Sequence, residues 1–194
     1  MPKRRLSLRE STMPIYVAML RGINIGPHKR VKMDDLRKSF EGLGFDQVKT
    51  YIQSGNVVFK AGKGSSAALG NKIEDRIVSD FGFSASVIVR TSAELGEIVA
   101  SNPFLKQRGI DLEKLHVTFL SEIPAAPALK RLAEFTVAPD QSRCVGRDIF
   151  LHLPNGFSGS SLWKVPWEKA LAVVTTTRNW RTVNAIHQMC LDCK

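Results

Sequence analysis

The chain has 194 residues, 43% of them hydrophobic and 24% charged, which suits one domain of ordinary size or two small halves sharing an interface. A formal net charge of +10 favours polyanions, phosphorylated ligands or acidic partners through long-range attraction. No apolar run approaches the roughly 20 residues that span a bilayer, and the odd cysteine count of 3 argues against a disulfide framework, so a soluble, cytoplasmic protein with no membrane partner is expected.

Residues 1–12 are basic and polar, with Lys3, Arg4, Arg5 and Arg9 outweighing Glu10 and no apolar signal-peptide core. They are expected to be a disordered extension, with Met13-Pro14 as an alternative start. Pro14 to Leu20 is an unbroken apolar run and predicts a strand covered on both faces. Arg21 to Lys32 is a loop containing glycine and lysine. Leu36, Phe40 and Leu43 recur at helical spacing, Asp34 and Asp35 suit the helix N-terminus, and Gly44 supplies the stop. Val48 to Ile52 and Val57 to Lys60 predict strands joined by Gln53-Ser54-Gly55-Asn56. After a short link a helix carries Leu69, Ile73, Ile77 and Phe81 on one stripe and ends at Gly82. Ser86 to Arg90 predicts a further strand.

That order, β-α-β-β-α-β, is the split βαβ unit of ferredoxin-like domains. A helix near Ser92 to Ala100 and a break at Asn102-Pro103 precede a second pass. Leu115 to Leu120 reads as a strand, Pro127 to Phe135 as a helix, and Arg143 to Val145 with Ile149 to Leu153 as a hairpin. A helix is expected from Ser160 or Ser161, and Thr175 to Thr177 are expected to cap a last helix bearing Trp180, Val183 and Ile186. The fold class expected is α+β, two ferredoxin-like halves packed together with the second incomplete, divided as 13–91 and 92–194. Leu36, Phe40, Val58, Ile73 and Ile77 are expected to be buried together in the first half, with Val117, Phe119, Ile149 and Leu151 lining the second.

Short polar motifs stand where strands end: Arg21-Gly22-Ile23-Asn24, Gln53-Ser54-Gly55-Asn56 and Thr175-Thr176-Thr177-Arg178-Asn179. In a split βαβ unit the loop after the first strand and the hairpin between the second and third lie at one edge. Arg21, Asn24, His28, Lys29 and Arg30 would therefore approach Gln53, Ser54 and Asn56. Arginine forks and loop amides there suit an anion, and the helix start near Thr176, Arg178 and Asn179 could add to it. The competing reading is that these side chains only brace loops.

His116, Thr118 and His152 alternate with apolar residues, and the two histidines on one face would suit proton transfer. No nucleophile–base pair, phosphate loop or four-ligand metal set accompanies them, and neither a cofactor nor a metal is expected. His187-x-x-Cys190-x-x-Cys193 reads as a frayed tail. An open RNA-binding sheet needs exposed aromatics, whereas the neighbours of Tyr16 and Phe59 leave no polar face.

Tyr16-Val-Ala-Met-Leu-Arg-Gly-Ile-Asn-Ile-Gly26, Tyr51-Ile-Gln-Ser-Gly-Asn-Val-Val-Phe59, Leu115-His-Val-Thr-Phe-Leu120 and Thr176-Thr-Arg-Asn-Trp180 together resemble the bacterial domain of unknown function 1697 family. So do Val89-Arg-Thr91, Asn102-Pro-Phe104 and Leu151-His-Leu-Pro-Asn-Gly156. The resemblance implies an α+β fold with ferredoxin-like halves and no particular activity. Pro27 stands where the family tends to have glycine, and Ser161 where it tends to have lysine. The function expected is binding of a phosphorylated or anionic ligand, or nucleic acid, at Arg21, Asn24, Gln53, Ser54, Asn56, Thr176, Arg178 and Asn179. The alternatives are a small-molecule enzyme using His116 or His152 as an acid–base group, and a non-catalytic assembly protein.

Overall fold

The unbroken apolar run after Pro14 forms one of the two inner strands of its sheet, because both of its faces meet a core. In the computed structural model, which describes residues 13–193, this is β1 (Ile15–Leu20). Tyr16, Ala18 and Leu20 face one apolar cluster while Val17 and Met19 face another. The expectation for residues 1–12 lies outside the described residues.

The first half continues with α1 (Met33–Glu41), β2 (Asp46–Tyr51), β3 (Asn56–Lys60), α2 (Ser66–Phe81), β4 (Val87–Thr91) and α3 (Ser92–Ser101). The Ser65 hydroxyl caps α2 by accepting from the Ala68 amide, and Gly82 closes it in the left-handed conformation at φ 73°. Thr91 and Glu94 form a capping box on α3. The second half is β5 (Leu115–Leu120), α4 (Ala126–Phe135), β6 (Gln141–Val145), β7 (Asp148–His152), α5 (Trp167–Leu171), β8 (Thr175–Asn179) and α6 (Trp180–Leu191).

The strands make two four-stranded antiparallel sheets, ordered β2-β3-β1-β4 and β6-β7-β5-β8. Three apolar layers result. Leu36, Phe40, Ile73 and Ile77 of α1 and α2 cover the outer face of the first sheet. Leu120, Ile149, Leu151 and Leu162 form the outer layer of the second. Between the sheets lie Val17, Met19, Val58, Ile88, Val117, Phe119 and Phe150, closed by α3 and α6, which pack on each other. Val58 thus belongs to the middle layer rather than with Phe40, because its neighbours Val57 and Phe59 take the outer face. Val117 and Phe119 lie in that same middle layer, apart from Ile149 and Leu151.

Three expectations for the end of the chain are corrected. Thr175–Asn179 is a strand, not a helix cap, and it completes the second sheet by pairing with β5. Three β-branched threonines in succession favour an extended backbone; the cap of α6 is Asn179, whose Oδ1 accepts from the Thr182 amide at 2.8 Å. The tail is not frayed either: Cys190 and Cys193 are buried in the middle layer. The expected helix from Ser160 is a 3-10 turn (Ser161–Lys164) followed by α5.

Candidate functional site

The end of β1 and the β2–β3 hairpin do meet: the Leu20 amide donates to Gly55 O at 2.8 Å, and Asn24 Nδ2 to Gln53 O at 2.9 Å. Gly55 is required there. It sits at φ +74°, and a Cβ would lie 2.7 Å from Ile23 Cδ1 and 2.9 Å from Leu20 Cβ. The predicted site residues then separate into three environments.

The first is a buried brace. Arg178, on β8 of the second half, reaches into the first half and donates from Nε to Asn56 Oδ1 at 2.6 Å. Its Nη2 donates to Leu20 O at 2.8 Å and Ser54 O at 2.9 Å, and its Nη1 to Thr176 Oγ1 and Thr177 O. Asn56 in turn donates to Ser54 Oγ and Tyr51 O. Among the described residues no carboxylate faces this guanidinium, and burial pulls its pKa down to about 10. Asn56, Ser54, Thr176 and Arg178 therefore come together, with their polar atoms engaged inside the protein.

An equivalent brace runs the other way, and sequence reasoning missed it. Arg90 pairs with Val17 across β4 and β1, just as Arg178 pairs with Val117 across β8 and β5. Its guanidinium, almost fully buried, donates to Leu120 O at 2.8 Å and Arg147 O at 3.0 Å, and to Asp148 Oδ1 at 3.2 Å. Leu120 ends β5 as Leu20 ends β1, and Asp148 opens β7 as Asn56 opens β3. Each half thus closes the strand end and hairpin of the other. The signal was available in the matching tripeptides Val89-Arg90-Thr91 and Thr177-Arg178-Asn179, each an arginine one residue before a helix cap.

The second environment belongs to Arg21. Its side chain pairs with Glu168 of α5, and it lines a hollow of about 460 Å³ with Lys29, Glu74, Asp75 and Ser86. That hollow is lined by neither Gln53 nor Asn56.

The third is the loop 21–32. Asn24, in the left-handed region at φ 56°, cross-braces it: Oδ1 accepts from the Val31 amide at 2.9 Å, and Nδ2 donates to Val31 O and Gln53 O. The Asn24 amide also donates to Lys29 O. Lys29 Nζ is tied to Ser84 O at 2.7 Å, whereas Arg30 and Lys32 are exposed and make no ion pair among the described residues. Between Asn24 and Gln53, with Arg30, Lys32 and Asp34 at its rim, lies an open hollow of about 640 Å³.

The histidines do not share a face. Leu115 stands opposite His152 and His116 opposite Leu151, so the one-residue offset sends His116 to the outer layer and His152 to the middle layer. His116 packs on Phe157 and burial lowers its pKa, while His152 lies near Phe104. Neither faces away from an apolar layer, because both faces of this sheet are covered. Among the described residues no cluster of three or more His, Cys, Asp or Glu could hold a metal ion, and no helix is long and apolar enough to cross a membrane.

The model of a protein family described as "Protein of unknown function (DUF1697)" matches residues 13–150. Among solved structures, the conserved bacterial protein SP0830 from Streptococcus pneumoniae is similar at 26% identity and a TM-score of 0.74, with 92% of this chain and 99% of that chain covered. No curated protein matches the chain.

Proposed function

The chain belongs to the DUF1697 family of proteins of unknown function, and on that footing we propose that it binds an anionic ligand, with polyanions such as nucleic acid the favoured class, through the loop 21–32 and the adjoining hollow. One observation carries this reading. Asn24 and Gln53 hold the loop in a fixed shape by uncharged hydrogen bonds, which leaves the cations Arg30 and Lys32 facing solvent without an ion pair among the described residues. A preformed loop loses little entropy on binding, and exposed cations beside it give charge-assisted contacts to phosphate. Arg21 stands at the root of the loop, its half-exposed guanidinium paired with Glu168.

The halves are read as two ferredoxin-like units, supported by the strand orders β2-β3-β1-β4 and β6-β7-β5-β8. The division expected at residues 91 and 92 is moved in this reading to the segment between α3 and β5, because α3 follows β4 as α6 follows β8. Three free thiols, two of them buried, suit a reducing cytoplasm. A phosphorylated small molecule in the same hollow is the lesser version of the same chemistry.

Fluorescence anisotropy with a labelled single strand at several salt concentrations tests the reading. The Arg30→Ala/Lys32→Ala variant should bind more weakly. Its plot of log affinity against log salt should lose about 1.4 in slope, about 0.7 for each phosphate contact removed. Equal affinity and slope in the variant and the parent would refute the assignment of this loop.

A further inference from the structure

Trp163 is 56% exposed, yet its surroundings hold it in one place. Its ring stands edge-on to Phe157, with centroids 5.3 Å apart at an interplanar angle of 88°. Phe157 lies against His116 at 5.5 Å and 33°. Burial keeps the His116 imidazole below its ordinary pKa and hence neutral at pH 7. The 3-10 turn that carries Trp163 is pinned from both sides. Buried Asp140 accepts at Oδ2 from Ser160 Oγ, Ser161 Oγ and the Ser161 amide, while Ser160 Oγ accepts from the Leu162 amide. On the far side Trp167 Nε1 donates to Leu162 O. A buried carboxylate is a costly way to hold an exposed turn, and what the turn displays is a largely exposed indole.

We infer that Trp163, backed by Phe157 and His116, is a stacking platform for an unpaired nucleobase, so that the ligand of the cationic loop is single-stranded nucleic acid. This rests on the anion-binding reading of the loop. Aromatic faces that accept any base, set beside cations that track the phosphates, are the usual means of binding single strands without sequence preference. Exposed Lys164 follows Trp163 directly, and exposed Lys169 lies on the next helix. Cations on both sides of the indole favour a polyanion over an uncharged protein surface. Glu168 of the following helix pairs with Arg21, which joins the segment carrying Trp163 to the root of the loop.

Two labelled probes separate the contributions: a short oligodeoxyadenylate and an abasic strand of equal length, which keeps the phosphates and lacks the bases. Trp163→Ala should weaken the oligodeoxyadenylate by about tenfold or more and leave the abasic strand unchanged, while Trp163→Phe should stay close to the parent. Arg30→Ala/Lys32→Ala should weaken both probes. Parental affinity of Trp163→Ala for the oligodeoxyadenylate, with the loop variant still impaired, would overturn the platform and leave the loop reading standing. Failure of the parent to bind either strand at low salt would overturn both. A Trp163→Ala variant that alters sedimentation of the free protein but not strand binding would assign the indole to a protein contact and overturn the platform.

Discussion

Replacing Arg178 with alanine should destabilise the protein by about 3 kcal/mol, because several buried neutral acceptors lose their donor at roughly 1–3 kcal/mol each. Five hydrogen bonds disappear together, from Asn56 Oδ1, Leu20 O, Ser54 O, Thr176 Oγ1 and Thr177 O. Charge-assisted bonds contribute roughly 1.5–3 kcal/mol each, and a buried acceptor left without a donor costs roughly 1–3 kcal/mol. Against this stands the burial of the guanidinium: a pKa pulled down to about 10 means that its charged form is held at a cost of about 3 kcal/mol, and alanine removes that cost. The acceptors outweigh it, since several of them stay sealed from water after truncation. Urea unfolding followed by circular dichroism measures the difference, with Arg178→Lys as the informative companion. Lysine keeps the charge but cannot reproduce the fork that spans Asn56, Leu20 and Ser54, so it should recover less than half of the loss. A loss below about 1 kcal/mol for Arg178→Ala would refute the claim that this side chain holds the halves together.

Other outcomes follow from the same geometry. Gly55→Ala should cost about 2 kcal/mol or more, because the new methyl group meets Ile23 and Leu20 at a residue with φ +74°; a melting temperature equal to the parent's would contradict the close approach. His116 has a folded pKa depressed by burial below 6.5, so the unfolded chain takes up its proton first on acidification. Stability should therefore fall from pH 6.5 downward through the depressed value, and His116→Gln should flatten that part of the pH profile in thermal melts. Cys190→Ser should lower stability by about 1–3 kcal/mol, since it puts a hydroxyl into the apolar middle layer. Its thiol, pushed up to about 12 by burial, should react with a thiol reagent at neutral pH only after unfolding.

The order of elements was legible in the sequence because periodicity and punctuation agreed. The stripe Leu69, Ile73, Ile77 with Gly82 behind it left little choice for α2, and Gln53-Ser54-Gly55-Asn56 between two apolar runs predicted the β2–β3 hairpin. The last strand was misread for a physical reason. Thr175 and Thr176 are buried in the structure, but threonine also serves at helix starts, and only pairing with β5 decides between the two uses. The site was legible in part. The adjacency of loop and hairpin follows from topology, so Asn24 beside Gln53 could be foreseen. The direction of Arg21 depends on Glu168 in a segment far along the chain, and no local pattern announces that partner. Nor could the histidines be assigned to a face from alternation alone: their separation rests on a one-residue offset between β5 and β7. Arg178 looked like a ligand contact because arginine beside threonine and asparagine is polar wherever it stands, whereas burial is a property of the assembled halves.

The reciprocal braces have unequal reach along the chain, and this bears on how the molecule forms during synthesis. The bonds from Arg90 to Leu120, Arg147 and Asp148 span 30 to 58 residues, whereas those from Arg178 to Asn56, Ser54 and Leu20 span 122 to 158. A growing chain emerges from its N-terminus, so the donor that closes the second half is already present when its acceptors appear. The first half must wait for β8, nearly the last element to be made. Until then the carbonyls of Leu20 and Ser54 and the amide of Asn56 lack their guanidinium, and water must serve them at the open seam. The earliest sheet to be translated is thus the last to be finished, and a polypeptide released before residue 178 carries a complete set of first-half strands without the guanidinium that closes them.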